Sequence, residues 1–95
     1  MGVPEEHKHL AEEDIRRGKV RVKIAIITVS TSRYEKRSMG EKISDKSGDL
    51  AEEILRKNGF NIIYRDLIPD REDMIKESIR KSLDRDCNVI IFIGG

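Results

Sequence analysis

The sequence predicts an α/β domain: a parallel, or mostly parallel, three-stranded sheet with helices on both faces, three layers in all. Three observations carry this expectation. Val22–Thr31 is apolar at Val22, Ile24 and Ile26 on one face and at Ala25, Ile27 and Val29 on the other, so both faces of that strand need cover. A second doubly apolar run, Val89–Ile93, lies near the other end of the chain. Two helical patterns alternate with one further strand between them, and β-α-β-α-β with right-handed crossovers makes the strands parallel.

Ninety-five residues suit one small domain whose core is marginal unless oligomerisation or further chain completes it. The 19 basic and 18 acidic residues nearly cancel, which excludes the single-sign field of a dedicated nucleic-acid binder while leaving small anionic ligands open. A single cysteine, Cys87, excludes an internal disulfide and a cysteine-based zinc cluster. The sequence carries no secretory h-region or membrane-length apolar run, so a cytoplasmic location without membrane contact is expected.

Residues 1–19 read as a charged arm with too little apolar surface to bury a face, and His7 and His9 lack the further ligands a metal site needs. The domain proper is expected over residues 20–95. The central strand follows a basic lead-in, Arg16 to Lys23, and stops at Ser30-Thr31-Ser32. The segment Ser32–Ser44 reads as a long hydrophilic loop whose Arg33, Lys36, Arg37 and Lys42 either meet an anionic substrate or are merely solvated. A helix then opens with Ser44 or Asp45 as N-cap and presents Leu50, Ala51, Ile54 and Leu55 as its apolar stripe. Asn58-Gly59 closes it. Gly48 in its first turn costs helix stability but permits a close approach. Phe60–Leu67, with Asn61, Arg65 and Asp66, suits a strand nearer the sheet edge. Asp70, after Pro69, has the type and place of an N-cap for a helix over Arg71–Asp84 with Met74, Ile75, Ile79 and Leu83 inward. Cys87 suits a small buried thiol ahead of the last strand.

The more apolar first and third strands should be neighbours, giving the order 2-1-3 with the two helices on opposite faces. A ligand crevice is then expected at the carboxyl edge between these strands, flanked by Ser30, Thr31, Ser32, Gly94 and Gly95, with Asp70 one strand away. Hydroxyls, amides, glycines and carboxylates suit phosphate cradling and Mg²⁺ handling better than acyl transfer. Neither the Walker nor the dinucleotide glycine fingerprint occurs. The last strand, apolar on both faces and ending in Gly94-Gly95, makes a poor sheet edge, from which the expectation is that the natural chain continues.

Four segments in order carry a resemblance to a known family: Ile27-Thr-Val-Ser-Thr-Ser-Arg33, Asp45-Lys-Ser-Gly48, Leu67-Ile-Pro-Asp70, and an apolar strand ending in Gly94-Gly95. Together they resemble the MoaB/MogA family of molybdenum cofactor biosynthesis proteins, over about residues 20–95. The resemblance implies a molybdopterin-binding α/β domain in which Mg²⁺ and ATP serve to adenylylate molybdopterin. It implies that Asp70 is the catalytic aspartate and a Mg²⁺ ligand. Asp45, Ser47 and Gly48 match a substrate-binding segment, and Gly94-Gly95 match the start of a Gly-Gly-Thr-Gly pterin-phosphate loop, after which the family carries a further acid. It also implies a homo-trimer or hexamer that works ahead of a molybdenum insertion protein. This chain ends before the threonine of the loop, and by itself is expected to be inactive. A non-catalytic molybdopterin-binding protein and an unrelated flavodoxin-like anion- or nucleotide-binding domain remain the alternatives.

Overall fold

The computed structural model describes residues 21–94, so the arm over residues 1–19 and Gly95, expected to begin a phosphate loop, lie outside the described residues. The elements are β1 (Lys23–Val29), α1 (Thr31–Ser38), α2 (Lys46–Lys57), β2 (Asn61–Ile68), α3 (Glu72–Asp84) and β3 (Val89–Gly94). Both β2 and β3 pair with β1 in parallel, giving the order β2-β1-β3 expected from the apolar character of the three strands.

In-register neighbours on parallel strands share a face, which assigns the two layers. Ala25, Ile27 and Val29 lie beside Tyr64, Asp66 and Ile68 on one side and Ile90, Phe92 and Gly94 on the other. This face takes α3: Ala25, Ile27, Ile68 and Cys87 form a buried cluster against Met74 and Ile75. Ile24, Ile26 and Thr28 face the other way, where Thr28 Oγ1 donates to Asp45, the N-cap of α2. The two crossover helices therefore cover opposite faces. A register shift between Ile24 and Ala25 leaves Ile63 of β2 out of the ladder and 44% exposed. Asn88 joins β3 to β1 at their starts: its Oδ1 accepts from the Lys23 amide and its Nδ2 donates to the Arg21 carbonyl.

Three local expectations are corrected. First, the segment read as a loop from Ser32 contains α1, which buries none of its residues. Ser30 caps it by accepting from the Arg33 amide, and Lys36 and Arg37 sit in its last turn, where the helix dipole favours cations. Gly40, at φ 84°, then turns the chain in the left-handed conformation a side chain resists. Second, Arg71 rather than Asp70 is the N-cap residue of α3, and no side chain caps that end. The turn after Pro69 directs the Asp70 amide to Thr31 Oγ1 at 3.0 Å and the Arg71 amide to the Pro69 carbonyl, so Asp70 lies ahead of the helix. Third, α3 rests on the sheet through Ser78 and Ser82, both buried, whereas Leu83 is exposed. Ser82 Oγ donates to the Ser78 carbonyl and Ser78 Oγ to Asp66, so the small side chains are satisfied where the helix approaches closely. Leu50 and Ile54 of the expected α2 stripe are likewise more than half exposed.

Candidate functional site

The carboxyl edge of the sheet opens into a crevice with two lobes sharing Val29, Ser30, Ser32 and Gly94. One lobe, of about 330 Å³, adds Arg33 and Ser47. The other, of about 490 Å³, adds Thr31 and Asp70. The sequence-expected residues Ser30, Thr31, Ser32, Ser47, Gly94 and Asp70 thus converge on one place, although they come from four segments of the chain.

Backbone geometry gives the crevice its chemistry. Ser30 precedes α1 and Asp45 precedes α2, so Thr31 and Ser32 at one helix start, and Lys46 and Ser47 at the other, carry amides that have no intrahelical acceptor. Two helix N-termini with their partial positive charge, Arg33 in the lining and several hydroxyls make the first lobe suited to an anion of phosphate size. Across the shared floor, Asp70 is exposed, and its carboxylate has no hydrogen-bond or ion-pair partner among the described residues. Its backbone is well fixed. Thr31 accepts from its amide, the Ser30 amide donates to the Ile68 carbonyl at 2.8 Å, and Arg37 Nη2 donates to the Leu67 carbonyl at 2.9 Å. The hydroxyl of Thr31 is therefore engaged in holding the Asp70 turn as well as lining the crevice.

Asp45 and Gly48 occupy a different position from the other expected site residues. The Asp45 carboxylate is fully committed to protein partners: Oδ2 accepts from Thr28 Oγ1 at 2.8 Å and from Arg65 Nη2 at 2.6 Å, and Oδ1 from the Gly48 amide at 3.2 Å. Burial pushes its pKa up, but these hydrogen bonds and the Arg65 charge outweigh burial and hold the carboxyl below the usual aspartate value. Gly48 is buried beneath the same pair, and a β-carbon there would meet Asp45 Oδ2 and Arg65 Nη2. The close approach that Gly48 permits is thus made by side chains of the chain itself.

Arg65 is the residue sequence reading passed over. It projects from β2 to Asp45, to Asp49 at 2.6 Å and to Glu52 at 3.1 Å, so one guanidinium spans two turns of α2. Desolvation lowers its pKa, and the three carboxylates more than reverse that, leaving it firmly cationic. The signal was available: Asp45, Asp49 and Glu52 fall on one helical stripe, and a cation in the neighbouring strand is what that stripe requires. A further hollow of about 440 Å³ behind α2 is lined by Arg37, Arg65, Asp45 and Asp66. Its charged groups already bond within the protein, Asp66 by accepting from Tyr64, Ser78 and the Leu67 amide, so it offers a ligand little that is free. Cys87 is buried, which pushes its thiol up and away from nucleophilic use.

The family model described as "Probable molybdopterin binding domain" matches residues 25–95. A protein of Methanocaldococcus jannaschii named "Probable molybdopterin adenylyltransferase" is 40% identical over 77 residues, an alignment covering 78% of this chain and 43% of that protein. The chain thus spans less than half the length of that curated relative.

Proposed function

The chain belongs to the family of probable molybdopterin binding domains, and from that premise we propose that it serves molybdenum cofactor biosynthesis by adenylylating molybdopterin with Mg²⁺-ATP. The observation that carries this reading is the Asp70 carboxylate, fixed through its backbone at the crevice rim yet without a partner among the described residues. A capping role, the ordinary reason for an acid at a helix start, is absent because Arg71 occupies that place.

In this reading the terminal phosphate of molybdopterin lies in the Arg33–Ser47 lobe, against the two helix N-termini and Gly94, while Asp45 and Gly48 act from behind by holding the start of α2. ATP lies across the shared floor toward Asp70. A pterin phosphate oxygen forms a bond to the α-phosphorus of ATP. The α–β bridging bond breaks, and pyrophosphate leaves with the bonding electron pair. The protein's part is positioning and charge neutralisation, which suit amides, hydroxyls and one cation. The donor set fits a magnesium ion that arrives with ATP. Among the described residues no three His, Cys, Asp or Glu side chains are placed so as to hold a metal ion, so Asp70 would supply one carboxylate oxygen, with phosphates and water completing the shell. When bound, the ion offsets the negative charge of the triphosphate.

The same reading takes in a homo-trimer or hexamer, a cytoplasmic location and delivery of the product to a molybdenum insertion protein. No helix among the described residues is long and apolar enough to cross a membrane. The test is pyrophosphate release from ATP by the product of the complete reading frame, followed with and without molybdopterin, for the wild type and Asp70→Asn. Release that requires molybdopterin and falls at least 100-fold in Asp70→Asn, with molybdopterin binding and fold retained, is the expected result. Tight binding without release would make this a binding member of the family, and absence of both would leave an anion-binding α/β domain.

A further inference from the structure

We infer that Arg65 is a positioning residue for the anion-binding lobe: through Asp45 it sets where the first turn of α2, and so Ser47, stands against the crevice. The inference rests on the functional reading above for what the lobe binds, but its geometry is independent of it.

Arg65 does not line the crevice. Its guanidinium reaches from β2 to Asp45, Asp49 and Glu52, which belong to the cap and first two turns of α2. Asp45 is in turn tied to the central strand by Thr28 Oγ1 and to its own helix by the Gly48 amide. Two strands and a helix start are thus joined at one carboxylate. Ser47 lies between Asp45 and Gly48, facing Ser30, Arg33 and Gly94 across the lobe. Its distance from those groups depends on the angle at which α2 leaves Asp45. Apolar contact holds that angle only in part, because Ala51 and Leu55 are half-buried, Leu50 and Ile54 stand exposed and Gly48 contributes no side chain. Fork geometry matters here as well as charge. A planar guanidinium serves Asp45 with one nitrogen and Asp49 and Glu52 with the other, an arrangement a lysine ammonium does not reproduce.

The role predicts a separation between binding and turnover. In Arg65→Met and Arg65→Lys, KM and Kd for molybdopterin should rise about tenfold, roughly what one misplaced contact costs. The kcat at saturating molybdopterin should stay within about twofold, because Asp70 is held from Thr31, Ser30 and Arg37 instead. Amide exchange at Gly48 and Asp49, whose protons are held by Asp45, should quicken while exchange in α3 does not. If Arg65→Met fails to fold, the double variant Asp49→Asn, Glu52→Gln frees the same guanidinium from α2 and should show the same split. A lowered melting temperature with KM and Kd unchanged would show Arg65 to be merely structural and overturn the inference, as would a loss confined to kcat. Should the wild type show no affinity for molybdopterin, the functional reading fails instead. The exchange measurement then decides the positioning role alone: unchanged protection at Gly48 and Asp49 in both variants would sink it.

Discussion

Asp45 is legible as a helix cap because the signal for capping is local: an acid, three residues, an amide. Its second role is not, since Thr28 and Arg65 reach it from other strands, and only the parallel register brings them together. The same residue shows how competing magnitudes decide an outcome at Gly48. Alanine is the better helix former by about 1 kcal/mol, but its methyl would enter the space held by the Asp45–Arg65 pair, and overpacking costs roughly 1–3 kcal/mol. Gly48→Ala is therefore expected to lower stability, read as a reduced urea midpoint at unchanged m. A raised midpoint would show that the pair moves aside without cost. Asp70 illustrates the opposite error. Its type and place suggested a cap, yet the turn after Pro69 sets it one residue short of that position.

Among the elements, five are legible in the sequence, β2 despite its uneven alternation, and α1 is not. The helix α1 is polar on every side and buries nothing, so periodicity carries no trace of it. It is held by its Ser30 cap and by Arg37 reaching across to β2. For α3 the element was legible but its inward face was partly misread, because sequence patterning favours Leu83 over serine as a core residue. The sheet lies too close for that: Ser78 and Ser82 occupy the contact. A pair of substitutions distinguishes the two faces. Ser82→Leu should cost roughly 1–3 kcal/mol through overpacking, while Leu83→Lys should stay within about 0.5 kcal/mol, as exposed sites do. Chemical denaturation of both variants measures this, and the reverse ranking would place Leu83 inward.

For the whole molecule, strand order, parallel pairing and the placing of α2 and α3 on opposite faces follow from two facts: β1 and β3 are more apolar than β2, and strands alternate with helices. The charge network is a whole-molecule property too, and it gives stability a defined response to acid. Asp45 is held below its usual 3.8 and Glu52, through Arg56 and Arg65, below its usual 4.5. A depressed carboxyl stabilises the fold fully above its unfolded value and loses that contribution as pH falls through its folded one. The urea midpoint should therefore hold down to about pH 5 and decline below, and Asp45→Asn should start lower at neutral pH and decline less steeply. An equal decline in both would exclude Asp45 as a source. The pairing of β1 also bears on how the chain reaches its structure. Lys23 meets Asn61 and Ile24 meets Val89, so on a ribosome the strand that must lie in the middle is made first and its partners much later. Until both crossovers close, a ribbon apolar at five of its seven residues waits without neighbours. Such non-local pairing folds slowly and leaves sticky surface exposed meanwhile, which makes newly made chains natural clients for a chaperone.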